Sequence, residues 1–232
     1  MGTIQHEVKF DFGRRDRIGI AEAVLCAGKS VAQIDHIVEL ADSRKAPLLM
    51  TRLAPRSFRR LDERHRGRID YDPSSRTGIF GPVPVPGGPA QVAVVSAGTS
   101  DAGVVHEAAR TLAFHGAAAD VIMDIGVAGL WRLLERRTQL ETYRALVVVA
   151  GMDGALFSVI GGMVSGVVIA VPTATGYGAA RRGTTALHSA LTSCAPGLVT
   201  VNIGNGYGAA CAALRILRAA GDAASARAPA SR

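Results

Sequence analysis

Aromatic residues and cysteine are scarce in this chain of 232 residues. Phe, Trp and Tyr make up 5% of the sequence, so small aliphatic residues and glycine must fill the core. Small side chains let helices approach a sheet closely, which favours an α/β architecture. The three cysteines, Cys26, Cys194 and Cys211, are odd in number and widely spaced. This pattern argues against a disulfide framework and predicts a reducing, cytoplasmic environment.

Metal-binding patterns and the standard nucleotide-binding motifs are also missing. No His/Cys spacing typical of a zinc site occurs, and there is no strict GxGxxG or Walker sequence. Lysine is rare, so the net charge of +7 comes almost entirely from arginine. Arginine binds phosphate and carboxylate groups through two parallel hydrogen bonds. Because few aromatic residues lie among the arginines, we expect an anionic small molecule as partner and no nucleic acid.

The longest apolar stretch, residues 145–174, does not have the composition of a membrane helix. Asp153 and five glycines interrupt it, and Pro172 lies near its end. Its segments VVVAG and VVIAVP are typical of buried parallel strands on either side of a helix. The N-terminal sequence MGTIQHEVKFDFGRR contains no apolar signal-peptide core. We therefore expect no membrane association.

The composition divides the chain into four regions. Residues 1–81 predict a small N-terminal α+β domain, with a helix starting near Ile20, a turn at 26–29, a helix over 30–41 and a strand over 47–52. Seven arginines between Arg52 and Arg68 are typical of a solvated helix face or a linker. The sequence PVPVPGGPA marks a linker over 82–90. The Ala-, Ser- and Pro-rich residues 221–232 predict a disordered tail.

Residues 91–220 alternate between strand-like and helix-like patterns. Such alternation predicts a three-layer, mostly parallel, doubly wound sheet of the flavodoxin-like kind. The predicted strands are 91–96, 120–125, 145–150, 167–171 and 198–203. The predicted helices are 101–115, 130–141, 155–165, 182–191 and 208–219.

Each predicted strand ends in small or polar residues. The five segments are SAGTSD, DIGVAG, AGMDGA, PTATGYG and NIGNGYG. Because the carboxyl ends of parallel strands share one edge of the sheet, these segments predict a single glycine-lined crevice. Small loops and hydroxyls at helix starts suit a phosphate group, although the first loop, SAGTSD, taken alone favours an ordinary connection to a capped helix.

Two residues are the main candidates for catalysis. Asp153 is the one carboxylate in the apolar stretch, between two glycines, where it is a candidate acid or base or simply a helix cap. Cys194 lies in SCAPG, between a helix and the last strand, and is a candidate nucleophile or a small buried residue. Arg181 and Arg182 follow a glycine-rich loop and are candidate phosphate ligands, with a solvated role as the alternative.

These segments together resemble the LarB family, the pyridinium-3,5-biscarboxylic acid mononucleotide synthases of nickel-pincer nucleotide biosynthesis. The resemblance rests on SAGTSDAGVVHEA, DIGVAGLWRLL, VVAGMDGALFSV, VIAVPTATGYG, SCAPG and VNIGNGYGAA, in this order. The N-terminal FDFGRRDRIGIAEAV and LLMTR also fit. The core is similar to the carboxylases that act on aminoimidazole ribonucleotide in purine biosynthesis, so the resemblance implies a PurE-like fold.

The resemblance also implies a reaction and its residues. The substrates are nicotinic acid adenine dinucleotide and carbon dioxide or bicarbonate, and the products are the biscarboxylated mononucleotide and AMP. Cys194 is the implied nucleophile and Asp153 the implied base. No tightly bound cofactor is implied; magnesium is a candidate at Asp101 and Asp124. The relatives assemble as octamers, so a homo-oligomer is expected. The implied substrate-binding residues are Ser96, Gly98, Thr99, Ser100, Asp101, Asp124, Gly126, Gly151, Met152, Gly176, Tyr177, Gly178, Asn202 and Asn205.

Three positions depart from the family pattern. Asp153 stands where the family has Glu, Trp131 where it has His, and Gly204 where it has Asp. These departures leave open a catalytically degenerate nucleotide-binding protein. An aminoimidazole ribonucleotide carboxylase or mutase is the other alternative. It is disfavoured because Ala155 replaces the catalytic histidine of those enzymes.

Overall fold

The computed structural model describes residues 8–226. The chain forms two compact units. The first comprises the residues up to Pro86 together with Ala113–Gly116, and the second comprises Gly87–Leu112 and the chain from Ala117 onward. No helix in the described part of the chain is long and apolar enough to cross a membrane.

The first unit contains a four-stranded mixed sheet in the order β1-β2-β4-β3. The pair β1/β2 is parallel, whereas β2/β4 and β3/β4 are antiparallel. The elements in chain order are α1 (Arg14–Ile18), β1 (Ala23–Leu25), α2 (Val31–Ser43), β2 (Leu48–Thr51), α3 (Pro55–Phe58), α4 (Glu63–Arg66), β3 (Ile69–Asp72) and β4 (Thr77–Phe80).

The helix predicted to start near Ile20 is wrong, because no helix follows there and strand β1 begins at Ala23. The preceding helix α1 ends at Gly19, whose left-handed backbone (φ 75°) stops the helix. The turn at 26–29 and helix α2 are confirmed, with Ser30 and Gln33 forming a capping box at the start of α2. Strands β3 and β4 were not predicted, and their antiparallel pairing depends on the turn between them.

The second unit contains a five-stranded sheet in the order β6-β5-β7-β8-β9, and every pairing is parallel. This confirms the predicted architecture. The elements are β5 (Val92–Ser96), α5 (Ala102–Phe114), β6 (Ala119–Ile122), α6 (Leu130–Glu135), α7 (Arg137–Leu140), β7 (Ala145–Ala150), α8 (Ala155–Gly161), β8 (Val167–Pro172), α9 (Thr184–Leu191), β9 (Val199–Thr200) and α10 (Gly206–Ala226).

Helices cover both faces of this sheet, which produces three layers. On one face, Val92, Val94 and Val147 pack against α5 and α10. On the other face, Val95 and Val148 pack against α6, α7, α8 and α9. Successive residues of a strand thus face two separate cores. The strands are therefore apolar along their whole length.

Several boundaries differ from the predicted ones for identifiable reasons. Strand β6 ends at Ile122 because Asp124 adopts a left-handed conformation (φ 61°). The predicted helix over 130–141 is divided at Arg136. Helix α10 continues to Ala226, because its alanine-rich end favours helix. The prediction that the disordered tail begins at residue 221 is therefore wrong for 221–226, and 227–232 lie outside the described residues.

Candidate functional site

A cavity of about 470 Å³ lies at the carboxyl edge of the parallel sheet. The ends of β5 and β7 and the loops after β6 and β8 supply its walls, which are mostly apolar. Its lining residues are Ala97, Gly98, Ser100, Asp101, Gly126, Val127, Ala128, Ala150, Gly151, Met152, Asp153, Ala155, Leu156, Thr175 and Ala180. Seven of the predicted site residues are therefore brought together: Gly98, Ser100, Asp101, Gly126, Gly151, Met152 and Asp153.

Asp101 is the buried carboxylate of this cavity, with 3% of its surface exposed. Its Oδ1 accepts hydrogen bonds from Thr173 Oγ1 at 2.7 Å and from Thr175 Oγ1 at 2.9 Å. Both threonines belong to the loop that follows β8. The loop after β8 therefore fixes one oxygen of Asp101 and leaves the other for a ligand.

Glycine at two positions lets the loops of the cavity approach each other closely. A Cβ added at Gly151 would lie 2.2 Å from the carbonyl oxygen of Thr175, and one at Gly126 would lie 2.6 Å from that of Ala97. The Met152 N–H also donates to the carbonyl of Thr175 at 2.7 Å. The loops after β7 and β8 are thus joined through their backbones, which holds the cavity walls in place.

Asp153 lies on the rim of the cavity and is exposed. Its Oδ1 accepts a hydrogen bond from the Ala155 N–H at 3.2 Å, at the start of α8. Asp153 thus bonds the first N–H of this helix from the position before its N-cap residue, Gly154, and its second oxygen stays available to a ligand. The preceding Met152 has a positive φ of 52° and is 40% exposed.

Asp124 and Ser96 belong to the neighbouring region of the same edge. Ser96 is fully buried, and its hydroxyl donates to the carbonyl of Gly98 at 3.0 Å. Asp124 lines a separate groove of about 510 Å³ along β6, where Arg132 Nη1 donates to its Oδ2. The exposed ring of Trp131 lines this groove as well.

The glycine-rich loop after β8 continues along the rim. Gly176, Tyr177 and Gly178 are exposed and do not line the cavity, whereas the nearby Ala180 does. Thr99 is likewise exposed and outside the lining. The sequence-based assignment of these four residues to substrate binding stays a prediction.

Asn202 and Asn205 follow β9 at the same edge, outside the cavity. Asn202 Oδ1 accepts from the Ile203 N–H, and Asn205 Oδ1 accepts from the Gly208 N–H at 2.8 Å. Asn205 therefore caps the start of α10. Gly204, where the related family has Asp, has a φ of 64°, a conformation that glycine adopts without strain.

Cys194 lies apart from these residues. It is exposed, in the loop that connects the end of α9 to the beginning of β9. Because β9 is parallel to β8, a loop that precedes β9 lies toward the amino edge of the sheet. Ser193 Oγ is 2.7 Å from Ser158 Oγ, so this loop packs beside the middle of α8. Within one chain, Cys194 does not line the cavity that contains Asp153.

The two candidate magnesium ligands, Asp101 and Asp124, line different pockets. Asp101 lines the cavity and is held by two threonines, whereas Asp124 lines the groove and pairs with Arg132. No cluster of three or more His, Cys, Asp or Glu side chains that could hold a metal occurs among residues 8–226.

The sequence reasoning overlooked Thr173, Thr175 and Arg132 as partners of the site carboxylates. The threonines stand in PTATGYG, directly after β8, one of the strand ends that the sequence already assigned to the crevice. No sequence pattern predicts the pairing of Arg132 with Asp124, because it depends on the turn between β6 and α6.

Comparison with known proteins identifies relatives for both units. Residues 3–81 match the LarB/PurE-like N-terminal domain, and residues 91–231 match AIR carboxylase. The chain belongs to the LarB/PurE-like family. An uncharacterized protein of Methanocaldococcus jannaschii is 35% identical over 216 residues, which span 89% of this chain and 82% of that protein. The AIR carboxylase match makes the second unit of this LarB/PurE-like protein a carboxylase-type enzyme.

Two solved structures of PurE from Treponema denticola, one of them a variant, are similar to part of this LarB/PurE-like chain. The variant has a TM-score of 0.47 and 22% identity, and covers 55% of this chain and 79% of its own. The other has a TM-score of 0.47 and 20% identity, and covers 55% and 80% respectively.

Proposed function

We propose that this protein carboxylates the pyridinium ring of nicotinic acid adenine dinucleotide and cleaves its phosphoanhydride. The products are pyridinium-3,5-biscarboxylic acid mononucleotide and AMP. The proposal narrows the carboxylase-type activity of the family to one substrate class.

The charge of the cavity is the observation that carries this proposal. Among the residues that line it, Asp101 and Asp153 are the charged ones, and both are acidic. The remaining walls are largely apolar, formed by Val127, Ala150 and Leu156. The positive charge of a pyridinium ring fits such an environment, because the carboxylates of Asp101 and Asp153 attract it. The neutral aminoimidazole ring of a purine precursor lacks this attraction.

The chemistry requires a nucleophile, because a pyridinium ring is electron-poor and does not attack carbon dioxide. A thiolate that adds to the ring carbon para to the nitrogen converts the ring to an electron-rich dihydropyridine. The adjacent ring carbon then forms a bond to carbon dioxide. A base takes the proton from that carbon, and the electron pair restores aromaticity as the carbon–sulfur bond breaks. Water cleaves the phosphoanhydride and releases AMP.

Asp153 and Cys194 are the residues proposed for these steps. Asp153 has an exposed carboxylate oxygen at the cavity rim and is the proposed base. Cys194 has an exposed thiol but lies toward the opposite edge of the sheet. We therefore propose a homo-oligomer in which Cys194 of one copy enters the cavity of another, in keeping with the symmetric assemblies that most oligomers form.

The test is turnover of the proposed substrate. The protein is incubated with nicotinic acid adenine dinucleotide and carbon-13 bicarbonate, and the products are analysed by mass spectrometry. AMP and a mononucleotide that carries one labelled carboxyl group are expected, and Asp153→Asn should form neither. Turnover of carboxyaminoimidazole ribonucleotide instead, or nucleotide binding without any product, would contradict the proposal.

A further inference from the structure

The groove along β6 presents the only tryptophan of the sequence to solvent. Trp131 is 63% exposed, although tryptophan is on average well buried in folded proteins. The volume of the groove, about 510 Å³, is within the range of roughly 300–1,000 Å³ that small-molecule sites occupy. An exposed indole ring in a groove of this size offers a stacking face to a flat ring.

One face of the helical segment after β6 supplies the polar groups of this groove. Trp131 and Glu135 are four residues apart, as are Arg132 and Arg136, and all four line the groove. Residues at this spacing lie one above the other on the same side of a helix. An aromatic ring, a carboxylate and two guanidinium groups are therefore brought to one wall.

Arg132 is held in a fixed orientation within this wall. Its Nη1 donates to Asp124, and a Cβ added at Gly129 would lie 2.7 Å from its Nε. The Nε atom is buried and has no hydrogen-bond partner among the described residues. An unpaired buried donor lowers stability, so the position of this guanidinium is not explained by stability alone.

Two charged groups of the groove stay available to a ligand. Asp120 is already bonded, since the Tyr143 hydroxyl donates to its Oδ2 at 2.5 Å and Gln139 donates to that hydroxyl at 3.0 Å. Glu135 and Arg136 are exposed, and neither forms an ion pair within residues 8–226. The groove thus offers one free carboxylate and one free guanidinium beside the indole ring.

A single segment of the chain lines both this groove and the neighbouring cavity. Asp124 and Ile125 line the groove, whereas Gly126, Val127 and Ala128 line the cavity that contains Asp153. The two sites are therefore neighbours, as the two halves of a dinucleotide require.

We propose that the groove binds the adenylate half of the substrate, with the adenine ring stacked on Trp131. Arg136 pairs with the phosphate through charge-assisted hydrogen bonds, and the Glu135 carboxylate accepts hydrogen bonds from the ribose hydroxyls. The identity of the ligand rests on the proposed function. The indole ring is a feature of this chain, because the related family has His at this position.

The fluorescence of Trp131 tests the stacking, because no other tryptophan contributes to it. Its emission should fall to a plateau as AMP is added to the full chain, whereas ribose 5-phosphate, which lacks a base, should leave the emission unchanged. By calorimetry, Trp131→Leu should weaken AMP binding roughly tenfold and Trp131→Phe much less, because a phenyl ring also stacks.

Two adjacent arginines provide a matched pair of variants. Arg136→Gln should weaken AMP binding roughly tenfold, since it removes a charged hydrogen bond. Arg137 is equally exposed but does not line the groove, and its Nε donates to Glu141 at 2.8 Å. Arg137→Gln should therefore change AMP affinity less than about twofold.

Three results would overturn the assignment of the groove. They are a constant emission on addition of AMP, an equal loss of affinity in the two arginine variants, and a change of oligomeric state in Trp131→Leu with unchanged AMP affinity. The last would show that a second copy covers the groove. AMP binding with these variant effects but without turnover of the dinucleotide would contradict the proposed function alone. Turnover with an unchanged KM in Trp131→Leu and Arg136→Gln would contradict the groove assignment alone.

Discussion

Variants of Asp153 and Cys194 should restore each other's activity when they are combined in one oligomer. Asp153→Asn keeps an oxygen that can accept the Ala155 N–H, so α8 remains capped. Cys194→Ala removes an exposed thiol and leaves no internal cavity. Each variant should therefore fold normally and be inactive when it is alone.

The expected recovery follows from the separation of the two residues in the fold. If each site takes Asp153 from one copy and Cys194 from another, random mixing of the two variants in equal amounts supplies each intact residue to half of the sites. About a quarter of the sites are then complete, so about a quarter of the wild-type activity should return. If both residues come from the same chain, no site is complete and no activity should return.

Co-expression with two different affinity tags and tandem purification isolates the mixed oligomers. Product formation is then measured by mass spectrometry. The double variant mixed with wild-type chain in equal amounts is the matched control. About a quarter of the activity is expected from it for sites shared between copies, and about half for sites within one chain. Zero recovery in the first mixture together with half in the control would refute the shared site.

Three further predictions concern the packing of the second unit and the thiols. Gly151→Ala should lower the free energy of unfolding by about 1–3 kcal/mol, because its Cβ would overlap the Thr175 carbonyl. Gly98→Ala has open space around its Cβ and should leave the melting temperature nearly unchanged. Iodoacetamide should label Cys194 rapidly and spare Cys26, because burial raises the pKa of the Cys26 thiol to about 12; rapid loss of both thiols in the folded protein would contradict this. Since the pKa of Cys26 in the folded state lies above its ordinary value of 9.0, its contribution to stability should decline as pH rises from about 9 toward 12, measured by urea titration.

The parallel sheet of the second unit was predictable because its strands are short, apolar and separated by helical patterns. The strand Ala145–Ala150 was predicted to the residue, since apolar residues fill it completely and polar or glycine residues bound it. The small first-unit strands Ile69–Asp72 and Thr77–Phe80 were not predictable in this way. Their pairing depends on a turn and on contacts that four-residue segments do not reveal.

The sequence predicted which residues lie together at the ends of the strands. It did not predict the position of Cys194, which depends on the order of the elements along the chain. The carboxyl ends of β5 and β7 bring Asp101 and Asp153 to one cavity, as expected for parallel strands. The resemblance implied Cys194 as the nucleophile of the same reaction and hence beside the crevice. Its SCAPG motif precedes β9 instead of following it, and this order alone places the thiol toward the other edge.

The close contact between Gly151 and the Thr175 carbonyl has a consequence for reading evolutionary variation in relatives of this protein. A similar constraint acts at Gly183, where a Cβ would lie 2.6 Å from the Thr173 carbonyl. Selection for folding alone would retain both glycines in a descendant that had lost its chemistry. Asp153 carries no such steric constraint, because it is exposed. A pseudoenzyme lineage should therefore be recognisable by drift at Asp153 while Gly151 and Gly183 persist.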